Sequence, residues 1–314
     1  MKIASKYARS TRTISSLKSL SILSLAVIGV FCGSSPAWAT PLLGSALASF
    51  AVLGASSVTN TGTLPTTLGG NLGVSNNSST TGITGFFGTL ANEGPGTFTG
   101  SDAFAHQNDA FAILADTQLV GAITTLNLMG PGTTLSNGDL TLAGTLNPGV
   151  YTVPFATSNL TGALTLDGLG DPNAVWVFLF PSSSLITSPN SSVNVINVGS
   201  GAGVGLYWNV GSSATLDVNT AFAGNILAST SIFMNDGVTN HCGRALAHTG
   251  AVTMINDTIS IGCTGTGIPN ATEIQNSGGF DQAGAPGQTV PEPATLALLG
   301  LGLAGLGFAR RRRG

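Results

Sequence analysis

Gly205, Gly224, Gly243 and Gly262 follow one another at a constant step of 19 in the numbering. The text around them repeats as well. Gly224-Asn-Ile-Leu-Ala228 lines up with Gly243-Arg-Ala-Leu-Ala247, and Gly205-Leu-Tyr-Trp208 stands ahead of both. This alignment predicts Trp208, Leu227 and Leu246 in one column. Gly149-Val-Tyr-Thr152 and Ala174-Val-Trp-Val177 read as the same element at wider steps, from 149 to 174 and from 174 to 205. Short β-forming runs, turns of Gly, Asn and Ser, and a period near 19 describe one coil of a β-helix. Each coil buries its inward side chains against the coils above and below, so the repeat is stable only when stacked.

One segment departs from that pattern. Residues 101–122 read as a helix, with Ser101 as N-cap and Asp102 in the first turn. Asp102, Asp109 and Asp116 recur every seven residues on a polar side, and Phe104, Phe111, Leu114 and Ala115 mark an apolar side. Such a helix is expected to pack lengthwise on the stacked coils.

The two ends belong to export. Lys2, Lys6, Arg9, Arg12 and Lys18 precede an apolar run from Leu20 to Phe31, followed by Ala37-Trp38-Ala39. These are the three parts of a secretory signal. They predict a signal peptide over residues 1–39, cut by signal peptidase before Thr40, with an uncleaved anchor as the alternative. The C-terminus reads Val290, Pro291, Glu292, Pro293, then an uncharged run from Ala294 to Ala309, then Arg310, Arg311, Arg312 and Arg313. A helix over that run covers about 24 Å, slightly short of a bilayer core, and the arginines hold its end in the cytoplasm. This arrangement over residues 290–314 resembles the PEP-CTERM sorting signal of Gram-negative bacteria, which implies cleavage at the motif by an exosortase. Membrane contact is then confined to the transient C-terminal helix. Gly300-Leu-Gly302-Leu-Ala-Gly305 formally matches a dinucleotide fingerprint, but no βαβ unit precedes it. Residues 270–289, rich in Gly, Gln and Pro, read as a flexible spacer.

Removing the ends changes the charge. Of ten basic residues, five lie in the signal and four in the tail, leaving Arg244; all thirteen acidic residues lie between Glu93 and Glu292. Residues 40–293 therefore carry one minus thirteen, about −12, and no lysine. Nucleic acids and anionic membranes, which need basic patches, are excluded as partners. The surface must instead be built from uncharged polar residues, and 35 threonines fall in this span. Arg244 is expected to pair with an acid such as Asp217, Asp236 or Asp257.

With Cys32 in the signal, Cys242 and Cys263 remain, an even number in an oxidising compartment, and we expect them to form a disulfide. Zinc bound by His241, Cys242, His248 and Cys263 is the alternative. It is disfavoured because adjacent residues point to opposite faces of a strand.

Several segments then carry a family resemblance. Leu42-Leu-Gly-Ser45, Phe50-Ala-Val-Leu-Gly54, Thr59-Asn-Thr-Gly62, Gly69-Gly-Asn-Leu-Gly-Val74 and Ile83-Thr-Gly85 resemble the N-terminal coils of microbial ice-binding proteins. Leu146-Asn-Pro-Gly-Val-Tyr151, Asp171-Pro-Asn-Ala-Val-Trp-Val-Phe178, Trp208-Asn-Val-Gly-Ser-Ser-Ala-Thr-Leu216 and the two Gly-x-x-Leu-Ala segments continue the likeness to about Ile261. The resemblance implies, for residues 40–269, a mainly β fold: a discontinuous right-handed β-helix of roughly triangular section with one long α-helix alongside. It also implies that one flat face adsorbs to ice.

A face that meets ice needs hydroxyls and methyls at fixed spacing and no charge. Ordered water bridges such groups to a lattice, while a charge organises water around itself. Thr220, Thr239 and Thr258 keep the same step as the repeat glycines and supply one candidate column. Thr59, Thr61, Thr63, Thr81 and Thr84 cluster in the N-terminal coils. The bland reading of such columns is a strand ladder that simply packs. The family's Thr-Ala/Gly-x-Thr/Asn motif is matched by Thr81-Gly-Ile-Thr84. Thr220-Ala-Phe-Ala223 lacks its last residue and Asp236-Gly-Val-Thr239 its first, and Phe222 or His241 would interrupt a face on which they projected.

Enzymatic chemistry has little to work with. No Gly-x-Ser-x-Gly is present, His106 is expected on the helix, and His241 or His248 could pair with Asp236 or Asp257 without anything fixing a triad. No cofactor is implied, and no Asp-rich loop has calcium-ligand spacing. The leading expectation is a protein whose partner is an ice surface. The second is a surface-sorted adhesive or structural component of an extracellular matrix.

Overall fold

The computed structural model describes residues 42–76, 82–87, 94–99, 105–171, 173–198 and 204–262. The expectations for residues 1–39, 270–289 and 290–314, and those placed on Thr81, Ser101, Asp102, Phe104 and Cys263, lie outside them.

The strands form three stacks, and every pairing is parallel. The first runs through Thr133–Thr134, Gly149–Thr152, Val175–Phe180, Gly205–Val210, Ala221–Ala228, Thr239–Ala247, Phe50–Gly54, Asn71–Val74 and His106–Gln107. The second runs through Leu185–Ile186, Ala214–Leu216, Ile232–Met234, Ala251–Met254, Ser57–Asn60 and Ile83–Thr84. The third joins Thr145–Leu146, Ala163–Asp167, Ser192–Ile196, the leading halves of Ala221–Ala228 and Thr239–Ala247, then Thr258–Ser260, Thr67–Gly69 and Thr97–Phe98. Successive passes through these stacks are the coils that the glycine period predicted.

The order of coils is not the order of the chain. Val52 pairs with Ala245 and Leu53 with Leu246, while the same strand pairs on its other side with Asn71–Val74. The first coil is thus laid on the last. From there the chain runs outward to His106–Gln107, and helix α2 (Ala110–Leu128) carries it towards the far end, where the long succession of coils begins.

Two apolar layers hold this together. Inward residues, among them Trp176, Phe178, Trp208, Phe222 and Ile226, form the core inside the coils. Phe178 stacks on Trp208 at 4.3 Å between ring centroids, and Trp208 lies 4.8 Å from Phe222. Both buried indoles donate to carbonyls, Trp176 to Leu146 and Trp208 to Ala223, as a buried N–H must. The second layer lies between the first stack and the helices. Val177, Leu179, Tyr207, Leu227 and Leu246 meet Ala112, Ala115, Leu119, Ala122 and Leu126 of α2, together with Leu43 and Leu47 around helix α1 (Ser45–Ala48).

Trp208 does not share a column with Leu227 and Leu246. Trp208 pairs with Ile226, which pairs with Ala245, while Leu227 and Leu246 align with Asn209. The step into Ala221–Ala228 is one residue shorter than the glycine spacing, and a residue's shift turns a side chain to the other surface. Trp208 therefore points into the coil core, and the two leucines point at α2. The next step shifts register between Ala223 and Asn225. There Cys242 takes a left-handed φ of 56°, as in a β-bulge.

Helix α2 also differs from the expected 101–122. Residues 106–107 are a strand, and Asp109 is the N-cap, its Oδ1 accepting from Ala112 N–H at 2.8 Å and its Oδ2 lying 2.7 Å from His106 Nδ1. The buried stripe follows helical spacing at 112, 115, 119, 122 and 126, with alanines letting the helix approach closely. Leu114, expected on the apolar side, is exposed together with Ile113 and Val120. Asp116 faces His248 of the last coil, 3.1 Å away. Midway along the helix, Gln118 accepts from Leu47 N–H and fills the space beside Gly44, where a Cβ would collide with it.

Candidate functional site

The second and third stacks are the sides away from α2, which packs on strands of the first stack. Along a strand, alternate residues point out. In the second stack the outward column is Ile186, Thr215, Phe233, Thr253, Thr59 and Thr84. Beside it run Ser213, Ser231, Ala251 and Ser57, with Ser231 N–H donating to Ser213 Oγ and Ala251 N–H to Ser231 Oγ. In the third stack the outward column is Ala163, Ser192, Ala221, Thr239, Thr258, Thr67 and Thr97. None of these residues carries a charge.

The threonine candidates therefore divide. Thr59 and Thr84 belong to the second stack, and Thr239 and Thr258 to the third. Thr61 and Thr63 are exposed in the turn between the two stacks. Thr220 is not on a surface at all. It is fully buried at the corner, its hydroxyl donating to the Asp217 carbonyl at 2.7 Å and lying 2.9 Å from Thr187 Oγ1. The residue in register with Thr239 is Ala221, so the even glycine step is off by one here. Phe222 also lies inside, against Trp208, and does not interrupt the face. Thr67, Thr97, Thr215 and Thr253 were missed, because their steps along the stacks do not equal the glycine period. Their alternation with buried residues inside each strand was the signal that could have found them.

Hydroxyl satisfaction separates two kinds of threonine. The corner hydroxyls of Thr66, Thr187 and Thr220 are bonded within the protein. Among the described residues the outward hydroxyls of Thr59, Thr84, Thr215 and Thr253, and of Thr67, Thr97, Thr239 and Thr258, have no protein partner.

The corner between the two open stacks holds three acids, Asp217, Asp236 and Asp257. Asn190, Asn219, Asn256 and Gly237 take left-handed backbone there, which Asn and Gly tolerate best. Asn235 donates to Asp217 at 2.9 Å and Asn256 donates to Asp236. The Asn235 amide, then Val218 N–H, holds the Asp217 carboxyl below its ordinary pKa. Asp257 is buried, accepting from Val238 N–H and Ile255 N–H at 2.8 Å each. Burial pushes its pKa up to about 8 against those two bonds, with Asp236 adding to the rise.

The remaining polar groups are structural in placement. Arg244 is 1 % exposed, and its guanidinium donates to the Ala48 carbonyl at 3.0 and 2.6 Å and to Asn225 Oδ1 at 2.8 Å. It clasps the end of α1, while the acids named as its candidate partners, Asp217, Asp236 and Asp257, are bonded to Asn235, Asn256 and backbone N–H groups at the corner. His106 is a strand residue beside the Asp109 cap, not a helix residue, and His248 pairs with Asp116, not with Asp236 or Asp257. His241 sits in the third stack, and burial lowers its pKa, keeping the ring neutral. Cys242 is buried and disulfide-bonded, so its sulfur is no free thiolate for a metal.

Comparison with known proteins places this geometry. The ice-binding-like family profile matches residues 52–260, and the PEP-CTERM protein-sorting motif matches residues 289–313. An ice-binding protein of Nostoc sp. (strain HG1) is 41% identical over 293 residues, covering 93% of this chain and 94% of that protein. Among solved structures, an ice binding protein from an Antarctic biological consortium superposes with a TM-score of 0.58 at 35% identity, over 70% of this chain and 91% of that one. The ice-binding protein of the Antarctic ascomycete Antarctomyces psychrotrophicus gives 0.57 at 31% identity, over 69% and 96%. With its stacked coils, its lengthwise helix and this span of likeness, the chain belongs to the ice-binding-like family.

Proposed function

We propose that the protein adsorbs to ice through the open side of the second stack, with Thr84, Thr59, Thr253 and Thr215 as the principal contacts. The observation that carries this reading is the register. Parallel pairing sets Thr84, Thr59 and Thr253 on consecutive rungs about 4.8 Å apart, with Thr215 two rungs beyond, and among the described residues the four hydroxyls have no protein partner. Their methyl groups and the Ser/Ala column beside them hold the hydration layer without a charge to reorganise it. Thr84, the last residue of the sequence match Thr81-Gly-Ile-Thr84 to the family's motif, stands on this side. Recrystallisation inhibition by residues 40–289 tests the reading. Thr59→Lys and Thr253→Lys each should lower inhibition well below that of the unmodified protein while leaving the thermal midpoint little changed. Unmodified protein indistinguishable from buffer would sink ice adsorption and favour the matrix role that the sorting motif also suits.

The finer architecture belongs to the same proposal. The three stacks are taken as the sides of a right-handed β-helix of roughly triangular section. Signal peptidase cuts before Thr40, an exosortase acts at Val290-Pro-Glu-Pro293, and the host is Gram-negative, with the product secreted or held at the cell surface. Cys242 pairs with Cys263, about one coil further on. A binding role rather than a catalytic one is supported by His106 and His248, both engaged with aspartates at the α2 interface.

A further inference from the structure

We infer that the third stack is a second ice-adsorbing surface, so that the protein engages ice on two differently inclined sides; this rests on the reading just given. The same chemistry recurs there over a longer run. Thr97, Thr67, Thr258 and Thr239 occupy four consecutive rungs, and Ala221, Ser192 and Ala163 extend the column with small uncharged residues. The four threonine hydroxyls have no protein partner among the described residues. A ladder kept only for packing would not require this, and the corner threonines show the alternative, with hydroxyls bonded inside. The adjoining column is quieter. Thr99 and Ser260 donate to the Leu68 and Gly262 carbonyls, turning their hydroxyls from solvent, and Gly69 and Ala223 add little bulk. His241, the one large residue in that column, is half-buried with Nδ1 unbonded, and burial keeps it uncharged. Among the described residues these two columns thus carry no charge, and Asp167, at the trailing edge of Ala163–Asp167, is an acid that lies outside them. The acids Asp217 and Asp236 stand at the corner that separates this side from the second stack.

The test is the set of crystal planes that the protein decorates. The exported protein fused to a fluorescent protein is grown into a single ice crystal, and the labelled planes are mapped beside three variants. Thr67→Lys and Thr258→Lys alter the third stack, and Thr59→Lys alters the second. Thr67 is exposed, so its variant remains informative if Thr258→Lys does not fold. The unmodified protein should label two sets of planes. The third-stack variants should lose one set and keep the other, and Thr59→Lys should do the reverse. A pattern unchanged by Thr67→Lys and Thr258→Lys would overturn the second surface and leave the first intact. Loss of all labelling in Thr59→Lys alone would overturn it too. Unlabelled ice with the unmodified protein would defeat the underlying reading instead.

Discussion

Phe233 stands in register between Thr215 and Thr253 and is 43% exposed. Its ring rises from a column otherwise occupied by threonines and Ile186, and it divides the ladder into a run of three and a single rung. Phe233→Thr should therefore raise thermal hysteresis above the unmodified protein, with the protein's thermal midpoint little changed; a decrease would mean that the ring itself makes a productive contact. The buried Asp257 makes a different kind of prediction. Its folded pKa of about 8 lies above the ordinary 3.8. The stability linked to its protonated form is then fully present below about pH 4 and is lost as pH rises through 8. Urea midpoints should fall between pH 5 and pH 9, and Asp257→Asn should flatten that fall; an equal slope in both proteins would place the titration elsewhere. The sequence offered Asp257 only as a partner for Arg244 or a histidine, and it did not single out Phe233. A phenylalanine or an aspartate in a β-rich run does not announce which side of a strand it occupies.

Helix α2 was foreseen as an element but not in its bounds. The heptad of aspartates marks real features, since Asp109 caps the helix and Asp116 meets His248, but it says nothing of where the helix begins. The outward side carries Ile113, Leu114 and Val120, so apolar content does not distinguish the buried stripe from the exposed one. Docking distinguishes it, because alanines at 112, 115 and 122 fit against the first stack. Asp109→Ala should cost about 1 kcal/mol through the lost cap. The Asp109 carboxyl is raised by burial but lowered more by Ala112 N–H and His106, and its pKa lies below the ordinary value. Its contribution is present above pH 3.8 and is lost as pH falls through the folded pKa. The gap in thermal midpoint between the protein and this variant should narrow as pH falls below 3.8; a gap that stays as wide in acid as at pH 7 would contradict the cap.

A linear array of coils can unfold piecewise from its ends. Here the first coil is laid on the last, and α2 ties coils from both parts of the chain together. Arg244 sits at that seam, joining Ala48 to Asn225. Arg244→Met leaves a buried carbonyl and a buried amide without donors, and should cost about 3 kcal/mol. Calorimetry of the unmodified protein should give one transition whose calorimetric and van't Hoff enthalpies agree. Separate transitions for the N-terminal and later coils would show that the seam does not couple them.

The sequence by itself determined the coil period, the confinement of nearly all basic residues to the two ends, the uncharged Thr-rich character of the span between them, and the family. Local composition and repeat spacing are sufficient for those. The tertiary structure decided which threonines face outward and which coils are neighbours. The coils are not equal in length. The step from Ala214 to its partner Ile232 is shorter than the glycine period, that from Ile232 to Val252 is longer, and that from Thr239 to Thr258 matches it. Turns and the bulge at Cys242 absorb the differences. Because side chains alternate with a period of two, one residue of offset sends Thr220 inside while Thr239 stays out. The contact of the first coil with the last rests on pairing between residues from opposite ends of the described chain, as Val52 with Ala245. No local periodicity encodes it, since it forms only when the whole stack is present to receive it.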